Sequence, residues 1–168
     1  MIHDEPQFLD VGEGAARRRI AFRRRAPARD GLPGVVWLTG FGSDMVSTKA
    51  SALDGHCAER GQALLRFDYS GHGASDGRFE DGTISLWLED ALAAIRAETA
   101  GRLVLAGSSM GGYIALLVAR ALAEAGEATR LAGMVLVAPA VDLTEALMWS
   151  QASQVERREL MEKGVIHN

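Results

Sequence analysis

Leu103-Val104-Leu105-Ala106-Gly107-Ser108-Ser109-Met110-Gly111-Gly112-Tyr113-Ile114-Ala115-Leu116-Leu117-Val118-Ala119 is the stretch that decides the fold. Its first four residues form an apolar run of buried-strand length, and from residue 111 onward apolar side chains recur at helical spacing. A corner this abrupt needs glycine at 107 and 111, where strand and helix pass too closely for side chains. It also thrusts Ser109 out at a strained backbone angle. G-x-S-x-G by itself is a weak signal; the strand before it and the immediate helix after it give it chemical meaning. Ser109 then stands at the positive end of the helix dipole, where developing negative charge is favoured. The bland alternative is a glycine-rich turn without chemistry. The absence of Lys-[Ser/Thr] excludes a phosphate-binding P-loop, and the glycine spacing excludes a dinucleotide fingerprint.

Working outward, the spacing predicts strands over 7–11, 17–26, 34–38, 63–67, 103–106 and 133–137, and helices over 47–60, 83–99 and 111–125. Short apolar strands alternating with amphipathic helices give an α/β fold, a mostly parallel sheet with helices on both faces. At 168 residues the chain is one domain, 1–168. An apolar content of 48% with 24% charged residues excludes disorder, and a net charge of −4 gives no overall field for nucleic acid or an anionic membrane. The triplets Arg17-Arg18-Arg19 and Arg23-Arg24-Arg25 flank Ile20-Ala21-Phe22 and read as a solvated strand of an outer hairpin rather than a nucleic-acid patch. The one cysteine, Cys57, can form no internal disulfide and has no second thiolate nearby for zinc. With no apolar leader and no run long enough for a membrane span, a cytoplasmic location is expected.

In such sheets the chemistry gathers at the carboxyl ends of the strands. After 35–38 comes Thr39-Gly40-Phe41-Gly42-Ser43-Asp44-Met45, whose glycines can turn main-chain N–H groups inward; the amides of Phe41 and Met110 are the expected oxyanion hole. The alternative there is an ordinary loop. After 64–67 comes Asp68-Tyr69-Ser70-Gly71-His72-Gly73-Ala74-Ser75-Asp76-Gly77. Its His72 precedes the serine, whereas this arrangement orders its triad Ser, then Asp or Glu, then His, so His72 is expected to be a structural turn residue rather than the base. A nucleotide-binding loop at 71–77 is a further alternative, opposed by the delayed start of the next helix.

These three turns together resemble the α/β-hydrolase superfamily, and more narrowly its abhydrolase-domain acyl-protein thioesterase and acyl-glucuronide esterase group. The resemblance covers the chain from about residue 7. It implies a serine nucleophile at Ser109, an oxyanion hole from Phe41 and Met110, and hydrolysis of a carboxylic ester or thioester, on a small molecule or an acylated protein, through an acyl-enzyme. No metal or organic cofactor is implied. The family takes its acid and its histidine from later strands, which would need roughly 60 residues beyond Asn168, so the sequence is expected to be the front part of a longer hydrolase domain. Within the chain, Asp142 is a candidate replacement acid; His167 lies in a tail expected to fray, and His3 and His56 read as surface residues. Residues 144–163 read as helical, and the resemblance places the start of a helical lid at 143–168, where Leu147, Met148 and Trp149 would line an acyl pocket or simply pack in a core. The competing functional reading is a catalytically silent fragment or interaction module that lacks the triad Asp and His.

Overall fold

The computed structural model describes residues 5–142 and 149–163. Six strands form one sheet in the order β1-β2-β4-β3-β5-β6. They are β1 (Gln7–Val11), β2 (Arg18–Arg25), β3 (Gly34–Leu38), β4 (Leu64–Phe67), β5 (Leu103–Ser108) and β6 (Leu131–Val137). The β1–β2 hairpin joins antiparallel to β4, while β4, β3, β5 and β6 run parallel. Parallel neighbours require crossovers, and the helices α1 (Thr48–Arg60), α2 (Ile84–Glu98) and α3 (Met110–Glu124) supply them. The larger core lies between the sheet and α2 and α3, built on Ile20, Phe22, Val36, Leu38, Leu65, Phe67, Ile95, Leu105 and Ile114. A smaller one under α1 gathers Val35, Trp37, Ala50, Cys57, Leu64 and Ala106. Alternate residues of β3 thus serve opposite faces, as a strand covered on both sides requires.

The mostly parallel α/β sheet expected from the sequence is the observed one. Boundaries shift by a residue or two. β5 runs on to Ser108 and β6 begins at Leu131, because Ser108 still pairs with Val137 and Leu103 with Leu131. Strand pairing is a backbone matter, and apolar content does not mark its limits.

One expected element is corrected. Residues 144–163 are not a single helix: the chain turns at 150–151, and α4 (Gln154–Lys163) starts afresh after Ser153. The reason is a reciprocal cap. The Glu156 N–H donates to Ser153 Oγ at 3.2 Å while the Ser153 N–H donates to the Glu156 carboxylate at 2.7 Å, which satisfies donors that a new helix start leaves open.

Five of the six arginines in the triplets are tied down by carboxylates, as a solvated strand face requires. Arg17 pairs with Asp10, Arg18 with Glu89 and buried Asp90, Arg19 with Asp76, Arg24 with Glu98 and Arg25 with Asp54. At the other edge of the sheet β6 leaves apolar side chains open, with Val135 55% exposed and Met134 and Val137 beside it. Among the described residues no helix is long and apolar enough to cross a membrane.

Candidate active site

Ser109 sits between β5 and α3 at φ 54°, ψ −121°, a conformation that L-residues adopt only under constraint. The constraint is visible. The Ser109 N–H donates to Val137 O at 3.0 Å, and its carbonyl accepts from Gly112 N–H and Ala140 N–H, both at 3.0 Å, so β6 and the segment after it clamp the corner from one side. The close crossing expected of the two glycines is present: a Cβ on Gly107 would strike the Gly111 carbonyl, and one on Gly111 would strike the carbonyls of Leu38 and Thr39. At this crossing helix and sheet therefore meet backbone to backbone, and the serine is carried out over the sheet's carboxyl end. It is half-buried rather than sealed. It lines a cavity of about 310 Å³ together with Trp37, Gly40, Phe41, Ser43, Ser47, Thr48, Lys49 and Ser108.

The loop after β3 forms the facing wall. At Gly40 a Cβ would stand 3.6 Å from the Ser109 Cβ, so the two turns meet across the cavity. Neither the Phe41 N–H nor the Met110 N–H donates to a described residue, and Met110 opens α3, whose first amides have no intrahelical acceptor. Among the described residues these two main-chain donors have no acceptor.

What holds this loop was not legible in the sequence. Asp68, 2% exposed, accepts from the Met45 N–H at 2.6 Å and the Ala74 N–H at 2.9 Å. Burial pushes its carboxyl above the usual range, and the two amides pull it back. Buried Arg66 reaches from β4 to donate to Met45 O at 3.1 Å. His72, 4% exposed, accepts the Gly42 N–H at Nε2 (3.3 Å), and its Nδ1 lies 3.2 Å from Ser70 O, which fixes a tautomer with the proton on Nδ1. Both ring nitrogens are occupied by this bracing, so His72 is the structural turn residue the sequence implied. Rings complete the support: Phe41 meets Phe79 at 4.8 Å and Trp87 at 6.0 Å, and His72 packs edge-on against the same two. The one available signal was the charge of Arg66 and Asp68 inside and just after an apolar strand, which demands buried partners.

Replacing Asp68 by Asn keeps the shape but leaves one of the two amides with a poorer acceptor. A loss of about 1–3 kcal/mol is expected, read as a drop of several degrees in the melting temperature. An unchanged melting point would mean that Asp68 does not brace the loop.

The remaining candidates separate. Asp142 is exposed in the turn after β6, two residues beyond Ala140, which donates to Ser109. Trp149 does not line the cavity at Ser109; the Arg157 guanidinium lies 5.2 Å from its ring centre and bonds to its carbonyl. Leu147, Met148, His3 and His167 lie outside the described residues. His56 is exposed on α1. Among the described residues no group of three or more His, Cys, Asp or Glu side chains is placed to hold a metal ion.

The sequence profile of the serine aminopeptidase S33 family matches residues 34–165, most of the chain and every element that builds this site. The chain belongs to that family of α/β-hydrolases. Its relatives sharpen the likeness. Human palmitoyl-protein thioesterase ABHD10, mitochondrial, is 37% identical over 133 residues, which are 79% of this chain and 42% of the human protein. A proposed hydrolase from Agrobacterium vitis S4 superposes with a TM-score of 0.87 at 46% identity, covering 95% of this chain and 62% of that one. Mouse alpha/beta hydrolase domain-containing protein 10 superposes with a TM-score of 0.77 at 28% identity, over 95% of this chain and 59% of its own. The chain thus spans less than half the length of the curated relatives it matches.

Proposed function

We propose that this chain carries the nucleophile and oxyanion hole of a serine hydrolase that cleaves a carboxylic ester or thioester through an acyl-enzyme. The observation that carries the proposal is the strained, half-buried Ser109 at the head of α3, facing the loop of Phe41 across a shared cavity. Ser109 Oγ adds to the acyl carbon; the carbonyl oxygen takes up negative charge beside the Phe41 and Met110 amides and the positive end of α3; the alcohol or thiol departs; water then releases the acid from the serine. Similarity to a palmitoyl-protein thioesterase supports an acylated protein or small acyl ester as the substrate class.

The hydroxyl proton needs an acceptor, and among the described residues no side chain hydrogen-bonds to Ser109 Oγ. That observation favours the second reading, a module that keeps the fold without full catalysis. With the hole alone, acceleration stays near 10³–10⁴ over water. Asp142 is the carboxylate we place as the alternative acid.

A fluorophosphonate probe separates the readings. Stoichiometric labelling at Ser109, with turnover of a p-nitrophenyl ester and of an acyl thioester, is the expected result. No labelling at tenfold molar excess of probe would leave the silent module as the correct reading.

A further inference from the structure

On the α1 face of the sheet, among residues that take no part in the cavity at Ser109, β2 and β4 set three arginines side by side. Arg23 and Arg66 are directly opposed in the antiparallel β2–β4 register, where like charges repel. Arg25 follows two residues along β2, on the same face. Two of them share one carboxylate. Asp54 of α1 accepts from Arg25 at 2.7 and 3.0 Å and from Arg66 at 3.1 Å, and its acceptor capacity is largely spent on those two. Arg66 is 5% exposed, and burial, with Arg23 and Arg25 acting the same way against Asp54, draws its pKa down. Arg24 points to the other face, toward Glu98. Among the described residues no carboxylate pairs with Arg23, and its buried Nε has no acceptor there. A cavity of about 230 Å³ opens among Arg23, Arg25, Asp54, Ala58, Gly61 and Arg66, and it shares no lining residue with the one at Ser109.

We infer that this cavity is an oxyanion site that takes a phosphate group, either inorganic phosphate or a phosphate monoester. Three guanidinium groups against one carboxylate leave two positive charges without a counter-charge, and a phosphate near neutral pH carries close to two negative ones. Its oxygens match the planar N–H fork of arginine, so one group can engage the guanidinium groups of Arg23 and Arg25 that line the cavity. A carboxylate would balance only one of the charges. The phosphate can come from solution or from a lipid headgroup, and the chemistry at the arginines is the same.

The test is thermal unfolding of the full chain in sodium phosphate against sodium chloride at equal ionic strength and pH, with isothermal titration by inorganic phosphate. At phosphate tenfold above its dissociation constant the melting temperature should rise by about 3 °C, and Arg23→Gln should abolish both the rise and the titration heat. Arg23 is the clean position because Arg66 also holds Met45. In a second variant, Asp54→Asn, the competing carboxylate is gone and phosphate should bind severalfold more tightly. Equal melting in the two salts, or a rise that Arg23→Gln keeps, overturns the site. Co-sedimentation with phosphatidylcholine vesicles only when they contain phosphatidic acid assigns the source to a lipid headgroup; titration heat without co-sedimentation assigns it to soluble phosphate.

Discussion

Under the proposed serine chemistry, Ser109→Ala removes fluorophosphonate labelling altogether, a fall of at least about 10³-fold in labelling rate, and takes ester turnover to the background of binding and main-chain donors alone. The fold survives this change, since alanine deletes one oxygen and makes no new contact. A companion variant reads the strain at the same position. At φ 54° every L-residue is held against its own preference at a cost of about 1–3 kcal/mol, and glycine is not. Ser109→Gly should therefore melt a few degrees above Ser109→Ala while being equally unreactive. Retained labelling in Ser109→Ala would remove the serine from the chemistry. Equal melting points for the two variants would mean that the corner stores no strain.

Gly111→Ala has the larger effect on the fold. Its Cβ would lie against two carbonyl oxygens, those of Leu38 and Thr39, and neither belongs to a side chain that can swing away. Relief requires lifting α3 from β3, the contact on which the main core rests. A loss of about 3 kcal/mol or more is expected, a large share of the stability of an ordinary domain, seen as insolubility or a lowered urea midpoint. Gly55→Ala provides the contrast. It lies within α1 with open space around it, so the same methyl group should stabilise by about 0.5–1 kcal/mol through helix propensity and a stiffer unfolded chain. If both substitutions proved neutral, the close crossing of helix and strand would not be what glycine serves at 111.

The two results bear on how much could be read from residues alone. The crossing at 107–111 was legible because glycine at both ends of a one-residue corner has a local cause. So was the glycine turn facing the serine, since Gly40 and Gly42 follow directly on an apolar strand. The helix expected over 144–163 overran a real boundary: apolar periodicity does not register a turn. The signal that marks the boundary, Ser153 with Glu156 three residues later, is present in the sequence. The bracing of the loop is another matter. Asp68 reaches Met45 across 23 positions and His72 reaches Gly42 across 30. No spacing rule links residues so far apart, because their meeting depends on β3 and β4 lying side by side.

The sequence by itself determined the alternation of strands and helices, the parallel sheet that follows from it, and the corner that exposes Ser109, since each arises from steric and hydrophobic preferences acting within a few residues. Only the tertiary structure decided which charges meet: that Asp68, Arg66 and His72 serve the loop facing the serine, and that Arg23 is left beside two other arginines with no acid partner among the described residues. Electrostatic pairing is set by distance through space, and strand order, which brings residues 23, 54 and 66 together, is fixed by the packing of the whole sheet.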